Sequence, residues 1–189
     1  MFMCKRSSYK KSLGAAAALA LAFGIATVTA ANAADGPHFG TPITPADLAP
    51  WDISIAPDGV GLPAGSGTPA QGATVYADHG CAACHGDKGS GGTGGPLVGG
   101  GPLNPTDKDP QKLIGNYWPY ATTVFDFIRR AMPWQQPKTL NDNEVYAVTA
   151  YILALNKIIG DDDVINAQTL PKVKMPNRDG FIIRYPEKH

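Results

Sequence analysis

The sequence has few of the residues from which disulfide frameworks, bare metal sites and nucleic-acid-binding faces are built. Three cysteines and four histidines among 189 residues exclude a cysteine-rich scaffold. Lys and Arg number 16 against 16 Asp and Glu, a balance that argues against nucleic acid as a partner, because such binding needs a clustered basic face. No segment shows a convincing strand pattern and no internal repeat is visible, so the sequence predicts an all-α fold.

The apolar run from Leu13 to Val28 is shorter than the ~20 residues that cross a bilayer. It follows four basic residues and precedes Ala31-Asn32-Ala33, which is the order of a cleaved secretory signal. We therefore predict a signal peptide over residues 1–33, a periplasmic location and no stable membrane anchor after cleavage. An uncleaved anchor is the alternative. Cleavage removes four basic residues and no acidic ones, so the mature chain carries a net charge of about −4.

The remaining chain divides into three parts by composition. Residues 34–65 are rich in Pro and Gly and predict an irregular leader. Residues 66–157 hold three amphipathic segments and form the predicted domain, whereas residues 158–189 are broken by prolines and predict an extended tail laid over it. The three predicted helices run from Thr68 to His79, from Pro119 to the residue before Pro133, and from Asn141 or Asp142 to Leu155.

The segment Cys81-Ala82-Ala83-Cys84-His85 is the one strong chemical motif. Two thiols separated by two residues can bond the vinyl groups of one haem, and the next imidazole then reaches the iron. A disulfide or thioredoxin-like pair would need a neighbouring βαβ pattern, and a zinc site would need further Cys or His ligands at short spacing. We therefore predict one covalently attached haem c with Cys81 and Cys84 as its tethers and His85 as an iron ligand. The Gly-rich loop over residues 86–110 would pack against this apolar group.

Three further residues are candidates for contact with the cofactor. A ligating histidine commonly donates its other ring N–H to a fixed acceptor, and the carbonyl of Pro96 is a candidate acceptor for His85. Trp118 and Tyr120 precede the second helix, where their polar atoms could bond haem propionates; core packing is the alternative for each.

The second axial ligand is predicted from the methionines. Met is the usual choice in cytochromes c, and only Met132 and Met175 remain after signal cleavage. Met132 ends the second helix just before Pro133 and is favoured, whereas Met175 lies in the tail and could be a core residue. Ligation by a second histidine is a minor alternative, with His38, His79 and His189 as candidates.

These motifs together resemble the class I cytochrome c fold. The residues that carry the resemblance occur in that family's order: Gly72, Tyr76, Cys81 to His85, Gly95-Pro96-Leu97, Met132, and Ala150-Tyr151-Ile152. The resemblance covers about residues 66–157. It implies three main helices around one haem, ligation by His85 and Met132, and a crossing of the first and last helices that places Gly72 near Tyr151.

A narrower resemblance extends beyond this domain. Residues 114–133, the leader around Trp51-Asp52-Ile53 and the tail segment 175–181 are similar to the cytochrome subunit of the Sox sulfane dehydrogenase and to related sulfite dehydrogenase cytochromes. This resemblance implies an electron-transfer subunit, not itself an enzyme. Its electron donor would be a molybdenum dehydrogenase subunit, and its acceptor a downstream cytochrome or oxidase. Some members carry two haems, whereas this chain has one attachment motif.

The sequence leaves two other functions open. One is a freely diffusing carrier or the cytochrome partner of another periplasmic dehydrogenase. The other is a haem enzyme or gas sensor, which needs an open sixth coordination site; Met132 argues against it.

Overall fold

The computed structural model describes residues 40–48, 51, 53–104 and 106–182. The chain forms two compact units, residues 1–45 and 46–189. Only residues 40–45 of the first unit are described, so the predicted signal peptide and the start of the leader lie outside the described residues. A single helical turn, α1, spans Pro45–Leu48.

Helix α2 spans Pro69–Asp78 and begins as the sequence predicts. The Thr68 hydroxyl accepts a hydrogen bond from the backbone N–H of Gln71 at 3.3 Å, and the Gln71 side chain accepts one from the N–H of Thr68 at 3.0 Å. This reciprocal pair satisfies two N–H groups that have no partner inside the helix. Gly80 then adopts a left-handed conformation with φ of 69° and starts a second, short helix, α3, over Cys81–His85. The sequence predicts the stop at Gly80 but not the helical form of the motif itself.

The other two predicted helices are also present. Helix α4 spans Ala121–Ala131, so it starts two residues after the predicted Pro119. Helix α5 spans Asp142–Leu155, and Asn141 with Glu144 forms a second reciprocal cap at its start. Nine of the 14 residues of α5 are buried, which makes it the central helix of the unit.

Helices α2 and α5 cross in direct backbone contact. A Cβ atom at Gly72 would overlap the carbonyl of Ala147 and the side chain of Tyr151, so only glycine allows the two helices to approach this closely. The rings of Tyr76 and Tyr151 meet edge to face beside the crossing, with centroids 5.3 Å apart. The proximity of Gly72 and Tyr151 that the family resemblance implies is confirmed.

The tail differs from the predicted extended cover. Its strand β2, Ile165–Asn166, pairs antiparallel with β1, Ser66–Gly67, and a 3₁₀ turn follows at Leu170–Lys172. The side chains of Leu170 and Met175 are 0% and 1% exposed and belong to the same apolar core as α4 and α5. The tail is therefore part of the core. The two strands of the β pair are only two residues long, which is too short to produce a recognisable strand pattern in the sequence.

The leader is also fixed to the helices. The hydroxyl of Tyr146 on α5 donates to the carbonyl of Pro63 at 2.8 Å, and the guanidinium of Arg130 on α4 donates to the carbonyl of Ile53 at 2.9 Å. The leader from Ile53 onward, the helices and the tail as far as residue 182 thus form one packed unit with little strand. In the part of the chain that the structure describes, no helix is long and apolar enough to cross a membrane.

Candidate haem site

A cavity of about 540 Å³ opens between α2–α3 on one side and α4–α5 on the other. Apolar side chains from several elements form most of its wall, among them Tyr76, Leu97, Leu113, Ile114, Val124, Phe127, Ile128, Leu140, Val148 and Ile152. This volume lies in the range of sites that enclose a cofactor. An apolar wall of this size is expected for a large, flat, hydrophobic group and is poorly suited to a small polar ligand.

Both cysteines of the motif line this cavity as free thiols. The helical turn of α3 puts Cys81 and Cys84 three residues apart on one helix face, which is the spacing of neighbouring side chains. Burial is the main cause that raises the pKa of the Cys81 thiol, so this thiol is protonated at neutral pH before the cofactor is attached. The arrangement offers two tethers on one side of the cavity.

His85 lines the same cavity and its ring is held by a backbone carbonyl. Its Nδ1 atom lies 2.8 Å from the carbonyl oxygen of Gly95. Since a carbonyl only accepts hydrogen bonds, Nδ1 carries the proton and Nε2 keeps its lone pair for a metal. The sequence predicted the carbonyl of Pro96 as the acceptor. This prediction is wrong, because the acceptor is the carbonyl of Gly95. Pro96 lies on the cavity wall, but the loop, with Gly95 at a φ of 83°, presents the preceding carbonyl to the imidazole.

The structure separates the two candidate methionines. Met132 lies at the end of α4 and lines the cavity, whereas Met175 is packed in the core and is not part of the cavity wall. A thioether and an imidazole from different elements thus reach one cavity. This placement agrees with the prediction that favours Met132; the bond to iron is itself a prediction.

His79, the alternative histidine within the described residues, also borders the cavity, and its side chain is 31% exposed. Its Nε2 lies 3.4 Å from a carboxylate oxygen of Glu144 at the start of α5. This contact joins the end of α2 to the cap of α5 and gives one ring nitrogen of His79 a partner within the protein. His38 and His189 lie outside the described residues.

The two aromatic candidates have different surroundings. Trp118 lines the cavity and packs edge to face against Phe127, with centroids 5.7 Å apart. Tyr120 does not lie on the cavity wall; the guanidinium of Arg178 from the tail stacks 4.4 Å from its ring centre. Tyr120 sits just before α4 and its ring contacts the tail; its bond to a haem propionate stays a prediction.

The donor set of the cavity fits haem c and fits other groups poorly. Among residues 40–182 as described, no cluster of three or more His, Cys, Asp and Glu residues could hold a bare metal ion. Two thiols, one imidazole with a free Nε2 and one thioether instead share an apolar cavity. These are the groups that attach and ligate a c-type haem.

Comparisons with known proteins agree with this fit. The family model of cytochrome c matches residues 69–156. The crystal structure of the sulfane dehydrogenase SoxCD from Paracoccus pantotrophus contains a similar chain, with 39% sequence identity and a TM-score of 0.70, over 80% of this chain and 73% of that chain. None of the curated proteins compared with the sequence matches it.

The chain therefore belongs to the cytochrome c family. It has the all-α class I fold, carries covalent haem c with iron, and is an electron-transfer cytochrome. The haem supplies an iron atom that gains and loses one electron; the protein supplies the tethers, the ligands and the apolar surroundings.

Two asparagines hold the loops of the site and were not predicted. Asn116 is 9% exposed; its side chain accepts from the N–H of Leu113 at 2.7 Å and donates to the carbonyls of Gly101 and Gln111. Asn156, at the end of α5, donates to the carbonyl of Leu97 at 3.0 Å. In the sequence these residues are indistinguishable from ordinary turn and cap asparagines, because the carbonyls of Gly101 and Leu97 lie 15 and 59 residues away from them.

Proposed function

We propose that this protein is a periplasmic monohaem cytochrome that accepts electrons as the cytochrome subunit of a molybdenum sulfite or sulfane dehydrogenase. The observation that carries the proposal is the extent of the likeness to the SoxCD structure. It covers 80% of the chain, whereas the haem domain of the family model, residues 69–156, is less than half of it. The likeness therefore includes segments outside the haem domain.

The way those segments are packed supports a subunit over a freely diffusing carrier. Leu170 and Met175 of the tail are core residues, and Ile53 and Pro63 of the leader accept hydrogen bonds from α4 and α5. Electron transfer alone needs only the haem and the helices around it. Fixed extensions shared with a dehydrogenase component are better explained as surface for a permanent partner.

The proposed ligands of the iron are His85 and Met132. The Gly95 carbonyl orients the His85 ring and increases the basicity of Nε2. Met132 follows the last turn of α4, with its backbone N–H bonded to the carbonyl of Ile128 at 3.0 Å. With both positions filled from the protein, little rearrangement accompanies the gain or loss of an electron, and exogenous ligands are kept from the iron.

Isolation of the protein at native abundance tests the proposed partner. An affinity tag placed at the C-terminus of the chromosomal copy should recover a periplasmic complex that contains molybdenum. Addition of sulfite or a sulfane substrate to that complex should reduce the haem. The matched control is the same complex reconstituted with a cytochrome in which Cys81 and Cys84 are replaced by Ala, which should bind no haem and transfer no electrons to an external acceptor.

Two results would contradict the proposal. One is recovery of the tagged protein as a monomer without molybdenum, together with unchanged dehydrogenase activity after deletion of the chain; this result would indicate a freely diffusing carrier. The other is an iron that binds carbon monoxide readily in the native protein, which would indicate an open sixth site and hence a haem enzyme or sensor.

A further inference from the structure

We propose that Asn156 is a positioning residue for the haem ligand His85. It would act through the loop over residues 94–98, which carries the carbonyl that the imidazole binds. The proposal rests on the assignment of His85 as an iron ligand, and its test is designed to separate the two. Asn156 itself does not line the cavity, and this loop connects its side chain to the carbonyl that holds His85.

The geometry forms a short chain of contacts. The Nδ2 atom of Asn156 donates to the carbonyl of Leu97 at 3.0 Å. Leu97 lies two residues after Gly95, whose carbonyl accepts from His85 Nδ1 at 2.8 Å. Pro96 lies between them and its ring fixes one backbone torsion. The Leu97 carbonyl is thus coupled to the Gly95 carbonyl through a short segment in which one torsion is fixed.

The other anchors of this loop are bonds to the motif region. The Gly94 N–H donates to the carbonyl of Cys84 at 2.6 Å, and the Leu97 N–H donates to the carbonyl of Gly89 at 2.7 Å. Both hydrogen bonds connect the loop to the segment that carries the haem motif. Neither bond therefore fixes the loop relative to the helical core. Among the hydrogen bonds of the described residues, the bond from Asn156 is the one that connects the loop to α5.

Asn156 is itself closely fitted to its position. A Cβ atom at Gly115 would overlap the Oδ1 atom of Asn156, so the turn before Trp118 closes on the amide. The same Nδ2 atom also donates to the carbonyl of Ile152 at 2.9 Å. The side chain thus makes two hydrogen bonds with different structural roles. The one to Ile152 caps α5, whereas the one to Leu97 positions the loop.

The consequence for the haem follows from the donation by Nδ1. A hydrogen bond from Nδ1–H to a well-placed carbonyl makes Nε2 a stronger electron donor and stabilises the oxidised iron. If the loop is released from α5, the bond from His85 to Gly95 weakens. The midpoint potential should then become more positive, and the Nδ1 proton should exchange with solvent faster.

Two substitutions of Asn156 separate positioning from capping. Asn156→Ala removes both side-chain bonds. Asn156→Ser keeps a short donor that can reach the Ile152 carbonyl within its own helical turn but cannot reach Leu97. Tyr146→Phe is the control, because it removes a single bond from α5 to a loop carbonyl, that of Pro63, on a segment remote in sequence from His85.

The measurements are made on the purified holoproteins. Redox titration gives the midpoint potential, and proton NMR gives the exchange rate of His85 Nδ1–H. Both Asn156 variants should show a more positive potential and an exchange rate higher by about tenfold, the factor expected for loss of one hydrogen bond. Tyr146→Phe should leave both quantities at the wild-type value while lowering the thermal midpoint.

Two outcomes would overturn the positioning role. In the first, the Asn156 variants match Tyr146→Phe, with lower stability and unchanged potential and exchange. In the second, Asn156→Ser behaves as wild type while Asn156→Ala does not, which assigns the whole effect to the helix cap. A wild-type spectrum without a ligating histidine would instead overturn the assignment of His85, and the positioning role with it. If Asn156→Ala yields no holoprotein, Asn156→Ser alone decides by the same two readouts.

Discussion

The residues proposed to bind the cofactor are few, and each has a separate physical reason for its place. Cys81, Cys84 and His85 are fixed by one helical turn, whereas Met132 reaches the same cavity from the far end of α4. The contrast between Met132 and Met175 shows how burial decides between residues of one type. Met175 is 1% exposed in the core and has no access to the cavity.

Substitution of the two methionines should therefore give opposite results. Met132→Ala removes the proposed thioether ligand, so we expect a lower midpoint potential and ready binding of carbon monoxide. Met175→Ala leaves a void in the core and should cost about 2–5 kcal/mol in the free energy of unfolding, with an unchanged haem spectrum. Visible spectroscopy and denaturant titration measure the two effects. If Met175→Ala bound carbon monoxide and Met132→Ala did not, Met175 and not Met132 would be the ligand of the iron.

Two buried tyrosines predict how stability responds to alkaline pH. Burial raises the pKa of Tyr76 to about 12 and that of Tyr146 to about 12. In the unfolded chain both pKa values are near 10, so above that pH the unfolded state loses protons that the folded state keeps. The stabilisation is complete below about pH 10 and is lost as the pH rises from about 10 to 12.

This alkaline loss of stability can be assigned by substitution. Denaturant titrations between pH 8 and pH 12 should show the free energy of unfolding falling in that window. In Tyr146→Phe the free energy of unfolding should fall less steeply with pH. The variant also loses the hydrogen bond to the Pro63 carbonyl, which should lower its stability at all pH values by about 1 kcal/mol. A slope identical to that of the native protein would show that Tyr146 ionises equally in both states.

At the scale of elements, the crossing of α2 and α5 determines the shape of the cavity. Each helix is capped by its own sequence, through Thr68 with Gln71 and through Asn141 with Glu144. The angle and distance between them depend instead on a single small residue, Gly72. The side chain of Tyr76, four residues further along α2, lies on the cavity wall, so a shift of α2 also moves the site.

A methyl group at the crossing should therefore be costly. Gly72→Ala forces the Ala147 carbonyl and Tyr151 apart, and we expect a loss of about 1–3 kcal/mol in the free energy of unfolding, together with an altered haem spectrum. Gly101→Ala is the matched control, because a Cβ atom there meets nothing within 4 Å. Equal stability of the two variants would show that the helices can separate freely.

At the scale of the whole molecule, the leader from Ile53 onward and the tail as far as residue 182 belong to the folding unit. The β1–β2 pair joins the start of the domain to the tail, and Leu170 with Met175 completes the core beside Phe125 and Tyr146. The family model, by comparison, ends at residue 156. The sequence suggested a domain boundary between residues 157 and 158. The family pattern ends there, but the apolar core continues into the tail.

A truncated chain tests this point. Residues 66–157 alone lack Leu170 and Met175 and expose the apolar surface of α4 and α5 that these side chains cover. We expect such a fragment to have a much lower thermal midpoint than the mature chain, or to fail to mature with haem. In the full chain, Leu170→Ala should lower stability by about 2–5 kcal/mol. A fragment as stable as the mature chain would show that the tail only covers the domain.

The sequence by itself determined the haem motif, the three main helices and the caps of α2 and α5. It also favoured Met132 over Met175, and the place of Met132 on the cavity wall agrees with that prediction. These features depend on neighbours within a few residues, so spacing and side-chain chemistry reveal them. The tertiary structure alone decided that Gly95 holds His85, that Tyr120 faces Arg178, that Asn156 reaches Leu97 and that the tail enters the core. Each of these contacts depends on how the backbone places a residue, and several join residues far apart in the chain. Local preference does not encode that information.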